Sequence, residues 1–147
     1  MSPDPKMFTL EEASALVPKL RELVGRQLTW RAEIEDRLRS LAAATGEVPS
    51  EVAPPQDDDP PPVRALKREL VTKIGAYQEG WGEVEKLGAV VKDPRVGLLD
   101  FYGHVEGKTV WLCWKYGEDD IAHYHALDEG FANRKPIGVT LKRRLLN

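Results

Sequence analysis

The spacing of apolar residues along this 147-residue chain changes at Gly88. Before Gly88, apolar side chains recur every three or four positions, which is the period of an amphipathic helix. After it, segments rich in β-branched and aromatic residues alternate with short glycine turns, as they do in antiparallel strands. The sequence therefore predicts an α+β fold, in which a long antiparallel, coiled-coil-like helical hairpin precedes a small C-terminal antiparallel β-meander.

Two helices are predicted for the hairpin, over residues 9–44 and 63–87. The first opens on a capping box at Thr9, and Pro18 should kink it or divide it in two, because proline lacks a backbone N–H and clashes with the preceding turn. The apolar stripe of the second helix is formed by Leu66, Leu70, Ile74, Tyr77, Trp81 and Val84. Residues 45–62 are rich in proline and aspartate and can bury little apolar surface, so they are predicted to form a mobile loop.

The predicted β-meander, with a cluster of polar residues, occupies residues 96–137. Its expected elements are strands over 96–105, 109–116 and 121–125, with a helical turn as the alternative for the last of these. A loop is expected over 133–136 and, beyond the meander, a short terminal element over 141–146. We expect all of these elements to belong to one domain, residues 1–147, because a chain of this length is typical of a single hydrophobic core.

The composition narrows the range of functions. A formal charge of -3 argues against nucleic acid as the main partner. No apolar run approaches the ~20 residues of a membrane-spanning helix, and the N-terminal residues lack the apolar core of a signal peptide. The single cysteine, Cys113, cannot form an internal disulfide. The sequence therefore predicts a cytoplasmic protein with neither a nucleic-acid nor a membrane partner.

Four stretches of the chain carry a family resemblance. They read FTLEEA at residues 8–13, GLLDF at 97–101, LCWKYGE at 112–118 and, after His125, GF at 130–131 followed by RKPI at 134–137. Together they resemble an uncharacterised bacterial family, the domain of unknown function 2203, over nearly the whole chain except the proline-rich loop. The resemblance implies a small cytoplasmic protein with an N-terminal helical pair, and it implies no activity.

A metal site is one hypothesis for the polar cluster. Asp100, Glu118 and His125 fall in or beside adjacent predicted strands, and Cys113 could join them. A histidine with two carboxylates suits a divalent transition metal such as manganese, iron or zinc, and an open coordination position would allow hydrolytic or redox chemistry. The alternative is structural: His125 hydrogen-bonds a carboxylate, and Cys113 is a small core residue.

Arg134 is the second candidate, together with Asp128. The planar guanidinium of Arg134 could hold a small anionic ligand through two parallel hydrogen bonds. The alternative is an internal ion pair of Arg134 with Asp128 or Glu118, since a half-buried arginine usually has a carboxylate partner.

The leading functional hypothesis is a non-enzymatic module for protein interaction or self-association. Two long apolar stripes exceed what a small meander can cover, so a second copy or a protein partner is expected to cover the rest. The sequence also lacks a nucleophile elbow, a phosphate-binding glycine loop and a dinucleotide-binding fingerprint. The alternatives are a metal-binding protein or metal-dependent enzyme, and a binder of small anions.

Overall fold

The computed structural model describes residues 6–138, which form α-helices and a five-stranded antiparallel sheet. The predicted α+β class is therefore confirmed. The elements are α1 (Leu10–Ala15), α2 (Val17–Thr45), α3 (Pro61–Lys86), β1 (Val90–Asp93), β2 (Leu98–Val105), β3 (Lys108–Lys115), β4 (His123–Ala126), a 3-10 turn (Phe131–Asn133) and β5 (Lys135–Pro136). The strands pair in the order β1-β2-β3-β4-β5, so each strand contacts its neighbours in sequence. Among the described residues, no helix is long and apolar enough to cross a membrane.

Proline lies at the start of α2 and of α3, and glycine ends α2. The predicted helix over 9–44 is divided at Leu16, and α2 carries Pro18 in its first turn. Proline is tolerated there because the backbone N–H that it lacks would have no partner within the helix. Gly46 ends α2 with a left-handed φ of 79°. Proline is tolerated in the first turn of α3 for the same reason. This helix begins at Pro61, two residues before the predicted start.

Two strands were not predicted from the sequence. Because β1 is only four residues long, it is too short to show a period of its own, and it is ordered by pairing with β2. The predicted loop over 133–136 is wrong in part, since Lys135 pairs with Tyr124 to form β5. The expected terminal element over 141–146 lies outside the described residues.

The register of β2 and β3 gives the sheet two different faces. Glu106 and Gly107 form the connecting turn with φ angles of 52° and 79°, the left-handed conformation that suits a two-residue hairpin. Because side chains alternate along a strand, one set points toward the helices and the next toward the opposite side. We call these the inner face and the outer face. The inner face carries Leu99, Phe101, Val105, Leu112 and Trp114, which belong to the main core cluster.

The main core lies between the inner face and the helices. It contains residues of α1, the first part of α2 and the last part of α3, among them Leu10, Leu20, Val24, Trp81 and Val84. A second cluster contains no sheet residue and joins α2 to α3 through Ile34, Leu41, Val63 and Leu70. This second cluster explains how the two helices hold together where the sheet does not support them.

We expect Leu70→Ala to lower the free energy of unfolding by about 2–5 kcal/mol, because the side chain is 0% exposed and its removal leaves a cavity. Val71 is the matched control, since it is 44% exposed and adjacent in sequence. Val71→Ala should change stability by about 0.5 kcal/mol or less. Urea unfolding of both variants measures the difference, and equal losses would contradict the packing of α2 against α3.

Candidate functional site

The outer face of the sheet buries three residues that can bind a metal. Asp100 on β2, Cys113 on β3 and His125 on β4 are 1%, 0% and 3% exposed. Asp100 lies directly opposite Cys113 in the strand register, and His125 lies on the next strand opposite Trp111. Ligand atoms of the three side chains all lie within 4.8 Å of one another. We call Asp100, Cys113 and His125 the buried triplet.

His125 is held by hydrogen bonds at both ring nitrogens. Its Nδ1 lies 3.0 Å from the carbonyl oxygen of Ala126, which can only accept, so Nδ1 carries a proton. Its Nε2 lies 2.9 Å from Oδ2 of Asp100. Without another ligand, the proton between Nε2 and Oδ2 belongs either to an imidazolium or to a neutral carboxyl group. The second carboxylate oxygen, Oδ1 of Asp100, is buried and has no hydrogen-bond partner among the described residues.

Burial is the main cause of the pKa shifts of Asp100 and Cys113. Loss of solvation raises the pKa of Asp100, although the charge of His125 and the nearby Cys113 thiol oppose the shift. Burial, with the adjacent Asp100 carboxylate, also raises the pKa of the Cys113 thiol to about 12. In the absence of a cation, the folded protein therefore keeps the cysteine protonated at neutral pH.

A segment following β4 covers this part of the outer face. The carbonyl of Leu127 accepts a hydrogen bond from Trp111 Nε1 on β3 at 3.4 Å. Within the segment, the guanidinium of Arg134 lies 4.3 Å from the centre of the Phe131 ring. We call residues 127–134 the covering segment. Arg134 also places Nη1 3.9 Å from Sγ of Cys113, so the segment ends against the buried triplet.

Glu118 holds the covering segment in place. Its two carboxylate oxygens accept from Nη1 and Nη2 of Arg134 at 3.0 and 2.8 Å, and Oε1 also accepts from the backbone N–H of Lys115 at 2.7 Å. Burial alone would raise the pKa of Glu118, but the hydrogen bonds from Arg134 and Lys115 outweigh it and lower that pKa. Arg134 and Glu118 therefore form a bidentate ion pair, which connects the covering segment to the residues that follow β3.

The predicted site residues thus fall into two groups. The structure brings Asp100 and His125 into direct contact, but it places Glu118 in the pair with Arg134, as in the structural alternative considered for that arginine. Asp128 is exposed, and its side chain forms no hydrogen bond or ion pair with residues 6–138. Cys113 takes the third position of the buried triplet. The sequence could have located Cys113, because a two-residue hairpin turn at residues 106–107 pairs Cys113 with Asp100.

His123 lies beside the buried triplet without belonging to it. It pairs with Cys113 across β3 and β4, and its Nδ1 is 3.8 Å from Oε2 of Glu118, too long for a hydrogen bond. That nitrogen is buried and has no hydrogen-bond partner among the described residues. His123 therefore contacts the Glu118–Arg134 pair rather than Asp100.

The arrangement does not suit cysteine nucleophilic catalysis. A nucleophilic thiol needs a base that removes its proton and a lowered pKa, but the histidine here bonds Asp100, and the pKa of Cys113 is raised. The thiol is also fully buried. Three different ligand atoms within 4.8 Å of one another suit cation binding better.

We expect the stability of the metal-free protein to fall as the pH rises from about 9 toward about 12. In that range the unfolded chain has lost the Cys113 proton, whose ordinary pKa is 9.0, while the folded chain keeps it up to about 12. The loss should reach about 1 kcal/mol between about pH 8.5 and about pH 10. Urea unfolding in the presence of a chelator measures it, and Cys113→Ser should lack this part of the slope. Identical slopes for both proteins would contradict the burial of an acidic thiol.

Comparison with known proteins identifies the family of the chain. No curated protein and no solved structure matches it. The family model described as "Uncharacterized conserved protein (DUF2203)" matches residues 6–137, which include both helices of the second core cluster, the whole sheet and the buried triplet. The chain therefore belongs to the DUF2203 family of uncharacterised conserved proteins.

Proposed function

We propose that Asp100, Cys113 and His125 bind a divalent transition-metal ion, with zinc as the best-matched ion. The observation that carries the proposal is a group of three buried ligand atoms, one each from Asp100, Cys113 and His125, no more than 4.8 Å apart. One oxygen of the same carboxylate, Oδ1 of Asp100, is buried without a hydrogen-bond partner among the described residues. A buried carboxylate oxygen without a hydrogen bond is costly, and a cation is one of the partners that removes this cost.

The ligand types favour zinc over the harder ions. The triplet offers one nitrogen, one oxygen and one sulfur, and thiolate with imidazole is a set that binds zinc, whereas magnesium, calcium and manganese prefer oxygen ligands. Replacing Glu118 by Cys113 in the expected ligand set therefore shifts the expected metal toward zinc. A carboxylate and a thiolate together carry two negative charges, which balance a divalent cation inside a buried site.

The surroundings of His125 match those of a metal ligand. A ligating histidine usually donates its second ring N–H to a carbonyl or carboxylate, which fixes the ring orientation. Here Nδ1 donates to the carbonyl of Ala126 at 3.0 Å and leaves Nε2 toward Asp100 and Cys113. The metal would replace the proton that Nε2 and Asp100 otherwise share.

Three protein ligands suit a catalytic role better than a purely structural one. Structural zinc sites normally have four protein ligands, while catalytic sites keep the fourth position for water or substrate. The ion would supply a polarised water or a polarised substrate carbonyl, which is the chemistry of metal-assisted hydrolysis. Arg134 and Glu118 would hold the covering segment over the site and limit the access of solvent.

The test is zinc stoichiometry by mass spectrometry of tag-free protein, and cobalt absorption as a second readout. Wild-type protein should bind about one equivalent, and a sulfur-to-cobalt charge-transfer band should appear and be absent in Cys113→Ser. His125→Ala and Asp100→Asn should each weaken zinc binding by about 10-fold or more, because each removes one of three ligands.

The matched control is His104→Ala, since His104 is an exposed histidine on β2. It should bind zinc as the wild type does. Circular dichroism of each variant establishes that it is folded, and Cys113→Ser keeps the size of the buried side chain. Wild-type protein that takes up neither zinc nor cobalt after treatment with reductant would refute the proposal.

A second candidate function is self-association through the helices. We propose that α2 and α3 act as a coiled-coil-like hairpin whose remaining apolar surface packs against a second copy. A groove of about 310 Å³ runs between the helices, with Ile34, Leu38, Ile74 and Tyr77 in its lining. Arg31 and Glu35 lie one turn apart on its rim and pair with each other at 3.2 Å. In a two-fold dimer Arg31 of each copy can face Glu35 of the other, so the charges on the rim are complementary.

We expect Glu35→Arg to weaken a dimer about 5-fold or more, because it places like charges on both sides of the interface. The double variant Arg31→Glu with Glu35→Arg restores the alternation and should recover the wild-type dimerisation constant. Sedimentation equilibrium measures all three proteins. A wild-type chain that remains monomeric at millimolar concentration would count against this function, and it would leave the metal site unaffected.

A further inference from the structure

A small recess lies next to the buried triplet on the outer face. It has a volume of about 130 Å³ and is lined by Asp93, Val96, Leu98, Lys115 and Phe131. Leu98 is two residues from Asp100 along β2, and Lys115 is two residues from Cys113 along β3, so both point to the same face as the triplet. The recess is therefore one side-chain step, about 7 Å, from the proposed metal ligands.

We propose that this recess binds a small organic carboxylate with a short apolar chain, held at its charged end by Lys115. The recess as a binding site stands on its own residues, whereas its role as the substrate site of a metal centre rests on the function proposed above. The small volume favours a ligand of few heavy atoms, because pockets for drug-sized ligands are about 300–1,000 Å³.

The charge of the recess selects an anion. The ammonium group of Lys115 forms no ion pair with residues 6–138, and it lies over the Phe131 ring, whose centre is 5.4 Å away. The one carboxylate in the lining, Asp93, is already neutralised, since its two oxygens accept from Nε and Nη2 of Arg95 at 3.1 and 2.9 Å. An entering carboxylate therefore meets a free cation and a neutralised acid.

The walls of the recess select an apolar chain. Val96 and Phe131 are exposed large apolar side chains, and Leu98 adds a third apolar side chain to the lining. A ligand that covers these surfaces removes them from water, which favours binding. A ligand as small as acetate would satisfy Lys115 but would leave the apolar walls exposed.

Phe131 connects the recess to the buried triplet. Its ring lies in the wall of the recess, and the guanidinium of Arg134, which reaches Cys113 at 3.9 Å, lies 4.3 Å from the centre of the same ring. The fork of Arg134 is already occupied by Glu118, so we assign the anion contact to Lys115. A ligand in the recess would therefore contact the residues that border the metal ligands.

The experiment is a titration with isovalerate, followed by carbon–proton NMR of the methyl and aromatic groups. Isovalerate should shift the signals of Val96, Leu98 and Phe131. The neutral isovaleramide and the short acetate should each bind at least about 10-fold more weakly, since each lacks one of the two interactions. Equal affinity for isovalerate and isovaleramide, or shifts confined to other residues, would overturn the proposal.

The matched variants are Lys115→Met and Lys108→Met, which remove the same charge from opposite ends of β3. Lys115→Met should weaken isovalerate about 10-fold and leave isovaleramide unchanged, and Lys108→Met should change neither. Undiminished binding of isovalerate by Lys115→Met would overturn the assignment of the anion contact.

The titration is made on metal-free and on cobalt-loaded protein. A failure of the carboxylate-binding recess can then be distinguished from a failure of the metal site. Failure to take up both zinc and cobalt refutes the metal centre, while isovalerate binding to the metal-free protein still tests the recess. When cobalt is bound, the protons of isovalerate should relax faster than in zinc-loaded protein because of the nearby paramagnetic ion. Equal relaxation rates would refute the placement of the recess beside the metal.

Discussion

The carboxylate of Asp100 is an ionisable group held where solvent is excluded, and much of the outer face is arranged around it. An unpaired charge in such a place costs several kcal/mol, so its neighbours must supply a proton, a hydrogen bond or a cation. His125 satisfies one carboxylate oxygen, and the other remains without a partner among residues 6–138. The covering segment lies against this face through Arg134, whose guanidinium is 3.9 Å from Sγ of Cys113. The Glu118–Arg134 pair and the pairing of Lys135 with Tyr124 both hold the end of this segment to the sheet.

The two faces of the sheet depend on a single register. A slip of one residue between β2 and β3 would put the side chains of one strand on the wrong face. Either Asp100 would enter the apolar core and Phe101 would reach the outer face, or Cys113 and Leu112 would exchange faces in the same way. The left-handed turn at Glu106 and Gly107 sets this register locally, and the packing of Trp114 against the helices enforces it. The same alternation therefore builds the core on one side and the ligand group on the other.

Several of these features could be predicted because their causes are local. The change of period at Gly88, the break near Pro18 and the glycine turn between β2 and β3 are all encoded within a few residues. By contrast, β1 and β5 are short strands that exist because longer neighbours pair with them. Their own residues carry too weak a pattern to predict them.

The candidate site divides in the same way. Asp100 and His125 lie on the two strands that flank β3, and the sequence could suggest their contact because it places all three strands in one meander. Glu118 pairs with Arg134 because the covering segment folds back over the end of β3. The position of Arg134 depends in turn on its contact with Phe131. The sequence could name Arg134 and Glu118 as a possible pair, but it could not choose between that pair and a metal ligand.

The order of the strands has a consequence for how the chain reaches this structure. All residues of the buried triplet lie between positions 100 and 125, on strands that pair with their neighbours in sequence. Closing these short loops costs little chain entropy, so the ligand group can assemble through local contacts alone. The inner face also needs α2, which begins at Val17, about 80 residues before β2. We therefore expect the docking of α2 and α3, rather than the formation of the hairpin that carries Asp100 and Cys113, to limit the rate of folding.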